Sequence, residues 1–264
     1  MCYKGLAMMK YALGLVMLTL GLSAGQASEL SARDILEKST EHNAFGFNQA
    51  IAQIVLTQTA KGGETRVREI EIRSHKEQEL KRTLVQFLAP ADVAGTRFLL
   101  RENRESGDEQ FLYLPALGKT KRITGAQRDQ KFMGTELTYN DMESRDLNDY
   151  ELTRLADAQV GTNPVYVIES KPTAKADSPY GKTVSLIHQA SFVPLKVEFY
   201  DQAFKLLKTM TAHRLEKKDS RWVVLDTTVR NAQTESTTRM EIKSIRFDVA
   251  FKPEDFSQRS LQGG

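Results

Sequence analysis

The residues best equipped for chemistry in this chain lie close together. Between positions 136 and 149 the sequence places five carboxylates, Glu136, Asp141, Glu143, Asp146 and Asp149, with Arg145 among them. Two carboxylates flanking a scissile bond can act as general acid and base, as in glycoside hydrolysis. Asp141, Arg145 and Asp149 also fall four residues apart, the spacing of a salt-bridged helix face turned to solvent. The hydrolase reading lacks an aromatic platform for a sugar ring, because Trp222, the one tryptophan, is far off in sequence. Nucleophilic catalysis needs a nucleophile with a base in reach, and the chain has neither a G-x-S-x-G elbow nor a cysteine beyond Cys2. His42, His75, His188 and His213 are scattered without H-x-x-H or H-E-x-x-H spacing, so no zinc or copper site is expected. No glycine-rich phosphate loop is present either. The expectation is a protein with no metal, no cofactor and no catalytic residue.

The N-terminus decides the compartment. Lys4 and Lys10 precede the apolar run YALGLVMLTLGL (residues 11–22), and the small residues of SAGQA follow. This is the three-part plan of a secretory signal peptide over residues 1–27, with cleavage after Ala27. The run is shorter than the roughly 20 apolar residues of a membrane span. Cys2 leaves with the leader, and no cysteine follows the run to carry a lipid. The mature chain is therefore expected to be a periplasmic, soluble, unlipidated single domain over residues 28–264. It must rely on its core rather than on disulfides. The whole chain has 37 basic and 34 acidic residues. Without the two leader lysines it is nearly neutral, which argues against nucleic acid as a partner.

The elements that must position these side chains read mostly as strands. Ser31 and Asp34 have capping-box spacing for a short helix to about Asn43. IAQIVLTQTA and TRVREIEIRS flank a Gly62-Gly63 turn and form a hairpin; the alternation REIEIR marks a strand wet on one face. Further strands follow at KRTLVQFL, TRFLLREN, EQFLYLP, KTKRI, PVYVIESKP, KTVSLIHQ, PLKVEFYD, FKLLKTMTAHRLEK, RWVVLDTTVRN and TTRMEIKSIRF. Leu195, Val197 and Phe199 share one face of PLKVEFY. The fold class is mainly β within α+β. It has about eleven antiparallel strands in a sheet too large to stay flat, which must curl or close. The strand rhythm breaks only over residues 125–151. There, residues 139–150 read as a helix starting at Asn140. Near the end, Lys252 to Phe256 reads as a short turn of helix that docks Phe256.

Two segments carry a resemblance. FLAPADVAGTRFLL (residues 87–100) and FLYLPALGKTKRITGAQRDQKFMGTELTYNDM (residues 111–142) resemble the outer-membrane lipoprotein-sorting protein family. These are LolA-like periplasmic carriers of the type associated with RND/MMPL exporters. The chain is longer than LolA itself and carries these extra motifs. The resemblance implies a half-open β-barrel with an apolar concave face, and helices or loops covering it as a lid. It implies a carrier of lipid or lipoprotein acyl chains between inner and outer membrane. The implied partners are an inner-membrane RND/MMPL-type exporter and an outer-membrane acceptor. The rival is an accessory subunit that docks on an exporter and carries nothing.

Several strands are apolar on both faces; in FLYL, Phe111 and Tyr113 point one way and Leu112 and Leu114 the other. Periodicity alone leaves two readings, a packed barrel or a barrel with a cavity. On the carrier reading the cavity residues are Phe87, Phe98, Leu100, Phe111, Tyr113, Leu195, Val197 and Phe199. The lid residues are Phe132, Met133, Leu137, Tyr139 and Met142, with Gly134 as the turn. The basic run Lys119, Lys121, Arg122 and Arg128 is either a strand edge blunted by charge or a contact for anionic head groups or a partner.

Overall fold

The computed structural model describes residues 29–40, 49–103 and 105–262. The signal-peptide reading of residues 1–27 and the position of His42 lie outside them. A helix, α1 (Ala32–Thr40), is followed by thirteen strands. They are β1 (Ala50–Thr59), β2 (Thr65–Glu77), β3 (Leu80–Ala89), β4 (Arg97–Arg101), β5 (Glu109–Leu114), β6 (Lys119–Ile123) and β7 (Tyr150–Val160). The rest are β8 (Asn163–Pro172), β9 (Lys182–His188), β10 (Pro194–Tyr200), β11 (Leu206–Lys218), β12 (Arg221–Asn231) and β13 (Thr237–Phe247). Ser31 caps α1 as its spacing predicts: its hydroxyl accepts from the Asp34 N–H at 3.1 Å, and its own N–H donates to the Asp34 carboxylate at 3.1 Å.

All thirteen strands form one antiparallel sheet in the order β6-β5-β4-β3-β2-β1-β13-β12-β11-β10-β9-β8-β7. Every neighbour pair is a hairpin except β1–β13, which joins the two meanders. The sheet does not close, so β6 and β7 are its two edges. It is nevertheless strongly bent. Leu100 on β4 and Ser170 on β8 line one cavity, yet nine strand spacings separate them; laid flat, that is about 43 Å. Bulges in the β1–β13, β10–β11 and β11–β12 pairings supply local bends.

The two faces carry different cores. The concave face presents Ala52, Ile54 and Leu56 of β1, Ile70 and Ile72 of β2, Val85 and Phe87 of β3, and Phe98 and Leu112 of β4 and β5, all buried together. The convex face presents Leu84, Leu99 and Phe111, covered by Phe256 and Leu261 of the C-terminal turns. Phe256 docks in the turn Pro253–Phe256, as the sequence predicts. That cover is why β3, β4 and β5 need apolar residues on both sides.

Two expectations are corrected. Residues 139–150 are not a helix. They hold only the single helical turns Asn140–Met142 and Leu147–Asp149, with extended backbone between them. Asp141, Arg145 and Asp149 therefore share no helix face: Asp141 is held by tertiary partners instead. The strand count rises to thirteen because β7, whose residues 154–159 include charged and small side chains at exposed positions, is an edge strand with little apolar alternation to read.

Candidate functional site

The connection from β6 to β7, residues 124–149, joins one open edge of the sheet to the other and so must cross the mouth of the concavity. Its sequence makes it a plug. A tight loop forms where the Phe132 N–H donates to the Leu137 carbonyl at 2.7 Å, with Lys131 bridged to Thr138. Met133 and Gly134 turn it with φ of +48° and +78°. The turn expected at Gly134 is thus present, and glycine bears that conformation without strain. The loop pushes Phe132, Leu137, Tyr139 and Met142 into the concave core, with Met133 packed against it. Phe132 meets Phe98 at 5.1 Å between ring centroids, Tyr139 at 5.5 Å and Phe87 at 6.0 Å.

Carboxylates fasten the plug. Asp141 is ion-paired with Lys208 of β11, and both side chains are almost wholly buried, 4% and 3% exposed. The Tyr180 hydroxyl donates to Asp141 at 2.6 Å, and the Thr138 N–H donates to it at 2.7 Å. Lys208 also donates to the Glu136 carbonyl at 3.1 Å. Burial alone would raise the Asp141 carboxyl, but the Lys208 charge and these hydrogen bonds outweigh it and hold it below the usual carboxylate range. Lys208 is pulled below its own usual value, first by burial, with the positive charge of Arg145 among the lesser causes.

Glu136 accepts from Lys131 at 2.5 Å, Ser236 at 2.7 Å and Asn231 at 3.1 Å. Burial works to raise it, yet these partners leave it lowered. Glu143 is ion-paired with Arg128, which also reaches Asp177 at 2.9 Å. A general acid or base needs a free lone pair or proton at the reacting atom. These carboxylates spend theirs on the protein itself.

The plug fills the half of the concavity over β1 to β6. Beside it, under α1 and residues 137–147, a cavity of ≈ 550 Å³ remains. That size suits a small or chain-like ligand. Its wall is set by register. Ser170, Thr183, Phe199, Lys208 and Asn231 pair in one transverse row across β8 to β12. Ile168, Ser185, Val197, Met210 and Val229 form the next row. Leu100, Met142, Met240 and Ile242 complete the apolar lining, while Lys76, Lys81, Glu102 and Arg145 lie at the same cavity.

The predicted residues fall into distinct places. Leu100, Val197, Phe199, Leu137 and Met142 line the cavity. Phe87 and Phe98 belong to the concave core under the plug. Phe111 and Tyr113 lie on the convex face with Phe256, because their neighbours Leu112 and Leu114 take the concave side; the period of two was read correctly and the faces were exchanged. Leu195 packs with Val165 and Val167 in a separate cluster; the β9–β10 register shifts beside it. The basic run does not gather at the cavity. Lys119 and Lys121 are exposed on the edge strand β6, Arg122 pairs with Glu109 at 3.3 Å, and Arg128 is taken by Glu143 and Asp177.

The sequence does not single out Lys208 or Tyr180, and its spacing assigns Arg145 to a salt-bridged helix face rather than to the cavity. A signal existed for Lys208, which shares strand parity with the inward Met210. Tyr180 and Arg145 sit in loops, where no periodicity reveals a partner. Among the described residues no cluster of His, Cys, Asp or Glu could hold a metal. His75 stacks on Phe256, and His188 and His213 bond Ser191 and Thr228.

The chain's likenesses agree with this architecture. A family model described as "Uncharacterized protein" matches residues 79–263. A search of curated proteins finds no match. The solved outer membrane lipoprotein-sorting protein domain from Vibrio parahaemolyticus is 30% identical, with 88% of this chain and 100% of that chain covered and a TM-score of 0.80. A DUF1329 family protein from Desulfovibrio piger is 24% identical over 87% of this chain and 97% of its own, at a TM-score of 0.81. A LolA superfamily protein from Nitrosomonas europaea is 17% identical over 88% and 99%, at 0.69.

Proposed function

The chain belongs to the outer-membrane lipoprotein-sorting protein family, and from that premise we propose that it is a periplasmic carrier for acyl chains rather than an enzyme. The observation that carries this reading is the cavity of ≈ 550 Å³ between a bent sheet and a plug that is fastened rather than fused to it. Each methylene moved out of water contributes about 0.8 kcal/mol, so one long chain is worth on the order of 10 kcal/mol. A membrane offers nearly the same, so a carrier must come close to it and then release. Methionine suits such a surface because its unbranched thioether repacks easily; Met142, Met210 and Met240 all line the cavity. To admit a longer chain the plug must lift, exposing the concave core beneath Phe132 and Tyr139.

The carrier would move its cargo from the inner to the outer membrane, with an RND/MMPL-type exporter as donor. That partnership rests on the family resemblance. The two open sheet edges and the exposed Lys119 and Lys121 on β6 offer it a place to dock. Among the described residues no helix is long and apolar enough to cross a membrane. The test is organic extraction of protein purified from its native compartment, followed by mass spectrometry, with uptake of a fluorescent fatty acid by the stripped protein. Extracts free of lipid, with no uptake, overturn the carrier in favour of a docking subunit.

A further inference from the structure

Among the described residues eight charged side chains line the cavity, and seven of them are engaged. Glu37 pairs with Arg33 at 3.7 Å, Lys76 with Glu79 at 2.5 Å, Asp141 with Lys208 and Glu143 with Arg128. Glu102 accepts from the Lys81 N–H at 2.8 Å, and the Lys81 ammonium donates to the Thr40 carbonyl at 2.8 Å. Arg145 alone has no hydrogen-bond or ion-pair partner among the described residues, although it lines the same space. It is half-buried, between the exposed Ser144 and Asp146, which puts it at the rim of the cavity. A guanidinium is a rigid fork of donors that matches a carboxylate or phosphate two bonds at a time. Losing water without gaining a partner is costly, so a cation held this way beside an apolar pocket is left with its complement missing.

Resting on the carrier reading, we infer that the cavity takes a single-chain amphiphile with an anionic head group, carboxylate or phosphate, and that Arg145 holds that head group at the rim. The chain lies along Leu100, Met142, Val197, Met210, Met240 and Ile242. The hydroxyls of Ser170, Thr183 and Ser185 reach the cavity without side-chain partners among the described residues and suit oxygens near the head group. Among the acidic lining residues, Glu37, Glu79, Asp141 and Glu143 are each ion-paired with a cation where they stand. The basic edge strand β6 plays no part in this recognition.

Four probes test it on the full-length mature protein: a fluorescent dodecanoic acid, its methyl ester, dodecyl phosphate and inorganic phosphate. The acid and the alkyl phosphate are expected to bind roughly ten-fold or more tightly than the ester. Arg145→Glu should remove that preference, and Arg145→Lys should restore part of it. A thermal melt of each variant confirms the fold, which Arg145 does not support through any bond. Equal affinity for acid and ester, or a preference that survives Arg145→Glu, overturns the inference and leaves the carrier standing. Binding of neither amphiphile overturns both. Inorganic phosphate that binds as tightly as dodecyl phosphate makes the site one for a free anion and overturns the amphiphile.

Discussion

Asp141, carried by the segment that crosses the concavity, is ion-paired with Lys208 on β11, and both side chains are shut away from water. The pair adds a buried charge contact to the hydrogen bonds and apolar packing that seat this segment on the sheet. It is a latch on the plug, and several measurable consequences depend on it.

Removing one half of the latch should be far worse than removing both. Lys208→Met strands a buried carboxylate and should cost about 3–5 kcal/mol in denaturant unfolding. Adding Asp141→Leu to it should recover most of that loss, because the desolvation cost disappears with the charge. A double variant no more stable than Lys208→Met would show that the latch is not a coupled pair.

The plug and the convex face should separate experimentally. Phe132→Ala opens a hole in the concave aromatic cluster, and Phe111→Ala opens one on the far side. Each should cost about 3–5 kcal/mol. Only Phe132→Ala should speed the uptake of a fluorescent fatty acid, because only Phe132 seals the concavity. Faster uptake by Phe111→Ala would place that residue on the wrong face.

Filling the cavity should block cargo without unfolding the protein. Val197→Trp adds bulk where the chain is proposed to lie and should cost about 1–3 kcal/mol. Its fatty-acid uptake should fall roughly ten-fold or more, as measured by equilibrium titration. Undiminished uptake would move the ligand elsewhere.

Asp108 gives a pH signature. Its carboxylate accepts from the Ser144 N–H at 2.7 Å and the Asn103 N–H at 3.2 Å. Burial nevertheless pushes its pKa up to about 6, from 3.8. A raised folded-state value means that the native protein holds the proton more tightly than the unfolded chain does. Stability from this group is fully present below pH 3.8 and is lost as pH rises through about 6. Melting temperatures of wild type and Asp108→Asn, compared from pH 4 to 7, should show the wild type losing stability relative to the variant as pH rises through about 6. A constant difference would refute the assignment.

The sequence made the sheet legible wherever one face was wet. REIEIR, PLKVEFY and TTRMEIK declare their period without help. It was least legible where the chain solves a tertiary problem. β7 hides because an edge strand needs no apolar stripe. Residues 139–150 look helical by spacing, yet Asp141 finds a better partner in Lys208 than a helix could offer it. Phe111 and Leu112 alternate as expected, but nothing local says which of them faces inward.

Local chemistry therefore determined the α1 cap, the Gly62-Gly63 and Gly134 turns and the strand periods. Those are short-range properties, set by backbone sterics and by residues a few positions apart. The tertiary structure decided the rest: which face is concave, how the plug seats, and which partners Glu136 and Asp141 take. Asp141 and Lys208 lie 67 positions apart in the chain. Only a sheet bent far enough to bring its edges toward each other puts the β6–β7 connection across its own mouth, and leaves Arg145 at the rim without a partner.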